Sequence, residues 1–413
     1  MKIVEYLPGM LTGESLENEL TILPEYSGDV VNGDSARRLL ALNDIYTLYI
    51  PSKMTHEIYT KLYMALYRSL QRKETKEEII QANNNFKAKK TGIVSSSVIG
   101  GSDCLTIIGD SGIGKSRTIS EVLKAICGEN YIETEKPFRK VIPCITVQTP
   151  FDSSVKSLLL EILKETDRAL NTSYYDLAIR NKATTDVLIM TVSQIALEHI
   201  GMIVVDEIQN VIKAKQGRNL VGCLTQLINN SGVAIAMVGT PECVNFFESE
   251  MYLGRRTIGL RYGALPFGKE FSHICSVLFS YQYVKNKPIL TEDLCYWLWE
   301  KTQGNISALL GMVVGAQEVA ILNGKEELNQ ETLQEACDSR MESMHIFLQP
   351  KKRKEMSKTK TKKEFMVQSQ DNRSIEKTVL TSTFAEVLHI ATKESLDQLM
   401  YLRESGLVEE LTV

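Results

Sequence analysis

A glycine-rich turn between an apolar and an amphipathic segment constrains the fold of this chain more than any other feature of its sequence. The turn, GDSGIGKS from Gly109 to Ser116, satisfies the pattern GxxxxGK[ST]. Apolar residues at 104–108 predict a buried strand before it, and residues 116–126 predict a helix after it. In that setting glycines let the backbone curl around a phosphate, while the helix N-terminus points N–H groups at the anion. The segment is therefore predicted to be a phosphate-binding P-loop.

The P-loop predicts which residues hold a nucleoside triphosphate. Lys115 is expected to reach the β and γ phosphates, and the Ser116 hydroxyl is expected to bind Mg²⁺. The predicted contacts extend one residue further into the helix. The predicted ATP-binding residues are Gly109, Asp110, Ser111, Gly112, Ile113, Gly114, Lys115, Ser116 and Arg117.

A second predicted strand, at 202–205, ends in the two carboxylates Asp206 and Glu207, which is the Walker B arrangement. Asp206 is expected to hold Mg²⁺, and Glu207 is expected to polarise the attacking water. An apolar strand ending in Asp-Glu is a weak signal alone, since the acids could cap the next helix. After a P-loop, with another strand at 141–148 between them, the same pattern predicts a site for ATP hydrolysis.

Two further features complete the predicted catalytic set. Thr240 follows the strand predicted at 233–238, so its hydroxyl is expected at the same sheet edge as a sensor of the γ phosphate; alternatively it is a turn residue that begins a helix. Arg255 and Arg256 precede a strand predicted at 259–265. In ring-forming ATPases an arginine of one subunit often reaches the neighbour's γ phosphate, and the alternative here is a solvated basic pair.

The order of the segments predicts the fold class and the domains. Strands alternate with helical stretches at 154–169 and 186–198, which predicts an α/β fold with a parallel sheet flanked by helices, and helical patterns alone follow from about 271. An amphipathic helix is predicted at 55–84. The predicted domains are an N-terminal arm and amphipathic helix region (1–100), the α/β core (101–270), a helical lid (271–349), a basic linker (350–363) and a C-terminal partner-binding tail (364–413).

The linker and tail are assigned from composition and spacing. Residues 351–363 carry eight basic residues and one Glu, a run that cannot build a core. Beyond it, Thr383 with Glu386 and Ser395 with Gln398 have the spacing of capping boxes that open two short helices.

Composition limits the remaining possibilities. With 47 basic and 51 acidic residues the net charge is −4, so any binding to nucleic acid must come from local patches. The apolar runs are too short for a membrane helix, and Glu5 and Pro8 interrupt the place of a signal sequence, which predicts a cytoplasmic protein without a membrane partner. The eight cysteines never form a CxxC pair and are predicted to be reduced core residues.

Together these motifs resemble the AAA+ ATPases. The segments LTIIGDSGIGKS, IGMIVVDEIQNV, AIAMVGTPE and LGRRTIG are most similar to transposition regulators of the TnsC, TniB and IstB kind, above all TnsC of Tn-seven-like transposons. The motif matches are good from about residue 100 to 265 and looser to 340. The resemblance implies a P-loop NTPase fold of AAA+ type with a helical lid. The lid turn TQGNIS, residues 302–307, lacks the arginine that many AAA+ proteins use as a second sensor.

The resemblance also implies a function. It implies an ATP hydrolase with ATP and Mg²⁺ as cofactors, which oligomerises as a ring or helical filament on double-stranded DNA and links a target-selection protein to the transposase subunits. By resemblance, Lys156, Arg180 and Lys182 are expected to contact the DNA backbone without sequence preference; the alternative is ordinary surface charge. The competing function is a signalling or defence P-loop ATPase that acts as a nucleotide-controlled protein-interaction switch without DNA.

Overall fold

The computed structural model describes residues 2–91, 103–128, 131–135, 138–149, 154–212, 217–244 and 257–340. Within these residues a six-stranded sheet has the order β2-β3-β4-β5-β1-β6. The strands are β1 Cys104–Gly109, β2 Ile132–Glu135, β3 Phe138–Gln148, β4 Ile200–Asp206, β5 Ala234–Gly239 and β6 Thr257–Tyr262. All pairs are parallel except the β2–β3 pair, which is antiparallel. The predicted α/β fold with a mostly parallel sheet is confirmed.

Helices surround the sheet and continue beyond it. The helices are α1 Glu14–Leu20, α2 Ser35–Ile45, α3 Lys53–Arg72, α4 Lys76–Thr91, α5 Lys115–Cys127, α6 Val155–Leu170, α7 Tyr174–Arg180, α8 Thr185–His199, α9 Gln209–Ile212, α10 Gly217–Ser231, α11 Lys269–Ser280, α12 Glu292–Thr302, α13 Ile306–Leu322 and α14 Gln330–Arg340. The last four confirm the predicted helical region after the sheet, as far as residue 340.

The strand register brings the predicted site residues to one edge of the sheet. Ile108 of β1 pairs with Gly239 of β5, and Gln148 of β3 pairs with Asp206 of β4. Because β5 lies between β1 and β4, Thr240 leaves the sheet between the P-loop and the Walker B carboxylates. In open parallel sheets this carboxyl edge is where ligands bind.

Three apolar clusters hold these elements together. One face of the sheet packs against α6, α8 and α10, and the other face packs against α3 and α5. The third cluster unites α11 to α14 with Leu42 and Ile45 of α2. Six of the eight cysteines are buried and Cys127 and Cys144 are half-buried, which agrees with their predicted place in the core.

The N-terminal region packs on the rest of the described chain and contains a helix break that was not predicted. Leu16 and Leu20 of α1 are buried in the cluster that contains residues of α3 and α5, whereas Leu42 and Ile45 of α2 belong to the cluster of α11 to α14. Residues 1–50 therefore pack on the body of the same chain. The amphipathic helix predicted at 55–84 is wrong in its extent, because it is two helices, α3 and α4. The break at Lys73 turns that side chain inward, where its Nζ donates to the carbonyl oxygens of Ala196 and Leu197 at 2.6 and 2.7 Å.

Two smaller differences concern the sheet. β2 was not predicted because its sequence IETE has only one apolar residue, and β6 begins and ends earlier than the predicted 259–265. Within the described ranges no single helix is long and apolar enough to cross a membrane, while α12 and α13, bent by 118°, pass that test of length and composition only as a pair. The domain boundaries, including the linker and tail beyond residue 340, remain predictions.

Candidate nucleotide site

The P-loop has the backbone shape that its sequence predicts. Gly112 and Gly114 have positive φ angles of 81° and 94°, and α5 begins immediately afterwards at Lys115. Lys115 Nζ donates to the carbonyl oxygens of Gly109 and Asp110 at 2.8 and 2.7 Å. Burial lowers the pKa of Lys115, and the nearby carboxylates of Asp206, Glu207 and Asp110 oppose that shift. The ammonium group thus lies at the loop, among acidic groups that favour its charge.

The P-loop and the Walker B strand are in direct contact. Ser116 Oγ donates a hydrogen bond to Asp206 Oδ2 at 3.0 Å. Asp206 Oδ1 accepts from the backbone N–H of Glu207 at 2.8 Å. The Asp206 carbonyl oxygen accepts from both the N–H and the hydroxyl of Thr149, at 2.9 and 2.8 Å. The Ser116 hydroxyl and the Asp206 carboxylate, which are predicted to bind one metal ion, are therefore adjacent. The end of β4 that carries Asp206 is held in place by Thr149, which follows β3.

Glu207 and Thr240 lie where the sequence placed them, at adjacent strand ends. Glu207 is exposed and its backbone adopts φ +57°, in the left-handed region. Thr240 Oγ1 is buried and has no hydrogen-bond partner within the described part of the chain. Both residues line one cavity together with the P-loop. The ends of β4 and β5 thus bring a carboxylate residue and a threonine to the same cavity.

The lid turn that lacks an arginine contacts the P-loop instead. Asn305 Nδ2 donates to the Ser111 carbonyl oxygen at 2.8 Å, and the Ser307 N–H donates to the Gly112 carbonyl oxygen at 3.0 Å. A Cβ at Gly112 would lie 2.7 Å from Asn305 Oδ1, so only glycine allows this approach. The lid is thereby fastened to the loop that cradles the phosphates.

The cavity extends well beyond the phosphate loop. Its volume is about 850 Å³, which is in the range of small-molecule sites. Away from the P-loop it is lined by apolar side chains of three regions: the segment that leads into α3 with its first turn, the segment after β6, and the helices α11 and α13. These are Leu48, Ile50, Met54, Leu265, Ile274, Leu278 and Leu310. Apolar surroundings of this kind suit a nucleobase.

Sequence reasoning missed this apolar wall. Its N-terminal part has no motif, and the only signal was the apolar run 48–50 ahead of Pro51. Arg117, predicted to contact ATP, donates to the Thr47 carbonyl oxygen at 3.1 Å and pairs with Glu121 at 3.0 Å. Arg117 therefore supports the wall of the cavity that it also lines. Of the predicted P-loop contacts, residues 111–117 line the cavity, whereas Gly109 and Asp110 contribute their carbonyls to Lys115.

The residues predicted to bind DNA are all on the surface. Lys156 is the second residue of α6, Arg180 is the last residue of α7, and Lys182 lies between α7 and α8. All three are exposed, and no ion pair joins them to an acidic residue in the described ranges. Arg255 and Arg256, predicted to act on a neighbouring subunit, lie outside the described residues.

The fold and the geometry of the site are those of the P-loop NTPase fold. Residues 99–247 match the family model described as AAA domain, so the chain carries an AAA-type P-loop ATPase domain. The sheet with its helical C-terminal region is the AAA+ form of this fold. A search of curated proteins gave no match.

Similar chains occur among solved structures of low sequence identity. The Aeropyrum pernix ORC1 protein in complex with DNA is 17% identical over 63% of this chain and 64% of that chain, with a TM-score of 0.40. Drosophila ORC bound to DNA is 11% identical over 99% of this chain and 86% of that chain, with a TM-score of 0.47. Domain III of the Thermotoga maritima replication initiation protein DnaA is 14% identical over 67% and 94%, with a TM-score of 0.35. The aligned part therefore spans less than two thirds of the ORC1 chain.

Proposed function

We propose that this protein is an ATP-hydrolysing AAA+ ATPase that assembles with itself on double-stranded DNA and links a target-selection protein to a transposase. One observation carries the ATPase part of the proposal. The Ser116 hydroxyl and the Asp206 carboxylate are 3.0 Å apart at the sheet edge where Glu207 and Thr240 also emerge. This arrangement provides separate groups for binding the metal and for activating water.

The residues present fit Mg²⁺ and ATP. Hydroxyl and carboxylate oxygens are the hard ligands that Mg²⁺ prefers, and Mg²⁺ in phosphate sites needs only one or two protein groups. When bound, the metal would neutralise charge on the phosphates as the γ phosphoryl group is transferred. Ser116 and Asp206 would hold it, Lys115 would pair with the β and γ phosphates, and the apolar wall would take the base.

Glu207 is the proposed general base, because it is exposed, lines the cavity and is not one of the two residues, Ser116 and Asp206, that would hold the metal. It would accept a proton from the attacking water, while the Thr240 hydroxyl would orient that water or a γ-phosphate oxygen. A positioned general base contributes roughly 10²- to 10⁴-fold to a rate. The expectation for Arg255 and Arg256 is that they complete the site of a neighbouring subunit, so mixing a double-alanine variant of this pair with a Lys115→Ala variant should restore part of the turnover.

DNA binding is proposed from exposed charge and from the resemblance to TnsC-type regulators. Lys156, Arg180 and Lys182 present long cationic side chains without acidic partners in the described ranges, which suits contacts to phosphates. Such contacts are indifferent to sequence, so the choice of target would fall to a partner protein. The role in transposition rests on the similarity of the DEIQ and VGTP segments to that family.

The test is DNA binding as a function of nucleotide and salt. We expect tight binding to DNA of any sequence, but only in the presence of ATP. In a plot of the logarithm of the binding constant against the logarithm of the salt concentration, the slope should become shallower by about 0.9 for each phosphate contact removed. Replacing Lys156, Arg180 and Lys182 with alanine should flatten the slope by up to about 3 units. The matched control is Lys164→Ala, because Lys164 is also exposed on α6 but pairs with Glu161 at 3.2 Å.

The outcome separates the two function classes. Equal affinity for DNA with and without ATP would refute ATP-controlled assembly. Failure to bind any duplex, combined with normal ATP turnover, would favour the alternative of a nucleotide-controlled protein-interaction switch that acts without DNA.

A further inference from the structure

A buried amide connects the two polar groups at the hydrolytic end of the cavity. Gln209 is the first residue of α9 and is only 8% exposed. Its Nε2 donates a hydrogen bond to Glu207 Oε2. Its Oε1 accepts one from the backbone N–H of Thr240 at 3.3 Å. One side chain therefore spans the gap between the end of β4 and the end of β5.

The Glu207 carboxylate depends on this amide for its orientation. The backbone of Glu207 is fixed on both sides: its N–H donates to Asp206 Oδ1 at 2.8 Å, and its carbonyl oxygen accepts from the Asn210 N–H at 3.0 Å. These contacts hold the backbone and do not orient the side chain. Gln209 is the hydrogen-bond donor that the structure gives to the carboxylate among the described residues.

The segment around Gln209 is packed for this connection. The Ile208 N–H donates to the Val238 carbonyl oxygen at 3.0 Å, which ties the turn to β5 a second time. A Cβ at Gly239 would lie 2.8 Å from Ile208 Cγ2 and 3.1 Å from Gln209 Oε1. Only glycine at this position leaves room for the amide. Thr240, whose N–H donates to Gln209, also lines the cavity.

We propose that Gln209 is a positioning residue for hydrolysis, which links the general base Glu207 to the sensor residue Thr240 so that the two are oriented together. The inference rests on the proposed function, because it needs Glu207 to act on water. When the Thr240 hydroxyl engages a phosphate oxygen, its backbone is fixed, and Gln209 passes that constraint to the Glu207 carboxylate. The orientation of the general base Glu207 is thereby coupled to the contact between Thr240 and the phosphate within one subunit.

Two substitutions separate the halves of the link. Gln209→Glu keeps the shape and an oxygen that accepts from the Thr240 N–H, but it places a carboxylate against Glu207. Gln209→Met keeps the length and removes both hydrogen bonds. Both variants should lower kcat by roughly 10- to 100-fold, because a small misplacement of a catalytic group has effects of this size. ATP affinity should stay within about threefold, since Lys115, Ser116 and Asp206 are unchanged.

Hydrogen exchange tests the link without nucleotide. In nucleotide-free protein the Thr240 amide should exchange faster in Gln209→Met than in the wild type, whereas Gln209→Glu should keep it protected. Equal protection in all three proteins would overturn the proposed bond. The control is Gln317→Glu, because Gln317 is a buried lid amide that accepts from the Tyr283 N–H at 2.8 Å and donates to the Tyr281 carbonyl oxygen at 3.1 Å. This variant should lower the melting temperature and leave both kcat and Thr240 exchange unchanged.

A double variant shows whether Gln209 acts through Glu207. Adding Gln209→Met to Glu207→Gln should change the residual rate by less than about twofold, because the group to be positioned is already lost. An equal loss in both backgrounds, or a kcat that is unchanged or raised in the single variants, would overturn the proposal. If Glu207→Gln itself turns over ATP like the wild type, the proposed function fails, and the exchange result still decides whether the link exists.

Discussion

Replacing Asn305 with serine is predicted to weaken ATP binding without destabilising the lid. Asn305 has two roles: its Oδ1 accepts from the Ala308 N–H at 3.1 Å and caps α13, and its Nδ2 donates to the Ser111 carbonyl oxygen at 2.8 Å. Serine is as good an N-cap as asparagine, but its side chain is too short to reach the P-loop. Asn305→Ser therefore removes the contact between lid and P-loop and keeps the cap.

The expected size follows from the single hydrogen bond that is lost. Such a bond contributes about 1 kcal/mol. Because the bond holds the P-loop in the shape that receives phosphates, its loss should weaken ATP binding about fivefold. Asn305→Ala also removes the cap, so its free energy of unfolding should fall by about 1 kcal/mol more than that of Asn305→Ser.

Titration with a fluorescent ATP analogue and urea unfolding measure the two effects separately. The matched control is Asn329→Ala, because Asn329 Oδ1 accepts from the Thr332 N–H at 3.0 Å at the start of α14, and Asn329 does not line the nucleotide cavity. This variant should lose stability and keep ATP affinity. Wild-type affinity in Asn305→Ser, or an equal loss of affinity in Asn329→Ala, would refute the role of the lid contact.

Three further outcomes are expected. Lys115→Ala should lose at least about tenfold in ATP affinity in the same titration, whereas Lys124→Ala, on the same helix, should not. Burial lowers the pKa of Lys73 to about 7. Above that pH, Lys73 loses its proton in the folded protein but keeps it in the unfolded chain, so the free energy of unfolding rises with pH. Lys73→Met should reduce this rise between pH 7 and about 9, as measured by urea unfolding. Deleting residues 351–413 should leave ATP turnover and DNA assembly nearly intact and abolish transposase recruitment in a pull-down; a lower melting temperature with unchanged recruitment would indicate a tail that packs on its own lid.

The sequence predicted the part of the site that local chemistry determines. The P-loop needs glycines, a lysine and a hydroxyl at fixed spacing, and β4 is buried on both faces and therefore appears as an unbroken apolar run ending in Asp206. Parallel strands then bring their carboxyl ends together, so the sequence alone predicts that Thr240 lies near Asp206. Glu207 and Thr240 were predicted for this reason, although the amide that joins them was not.

The parts that were not predicted depend on contacts between distant segments. The apolar wall of the cavity combines residues 48–54 with Ile274 and Leu310, which no local pattern relates. At the break between α3 and α4, Lys73 is buried and donates to the carbonyls at the end of α8, a contact between segments that are more than 120 residues apart. In the sequence, the lid turn that contains Asn305 was notable only for lacking the second-sensor arginine. The hydrogen bond from the Asn305 amide to the Ser111 carbonyl oxygen depends on the fold.

The most direct test of the central claim is a measurement of the Glu207→Gln variant on DNA. The claim is that Lys115, Ser116 and Asp206 hold MgATP while Glu207 alone activates water. The variant should bind ATP within about threefold of the wild type and turn it over at least about 100-fold more slowly. It should also remain assembled on duplex DNA with ATP, as the wild type should with a non-hydrolysable analogue. Turnover at the wild-type rate, or assemblies that dissociate as fast as those of the wild type with ATP, would contradict the account.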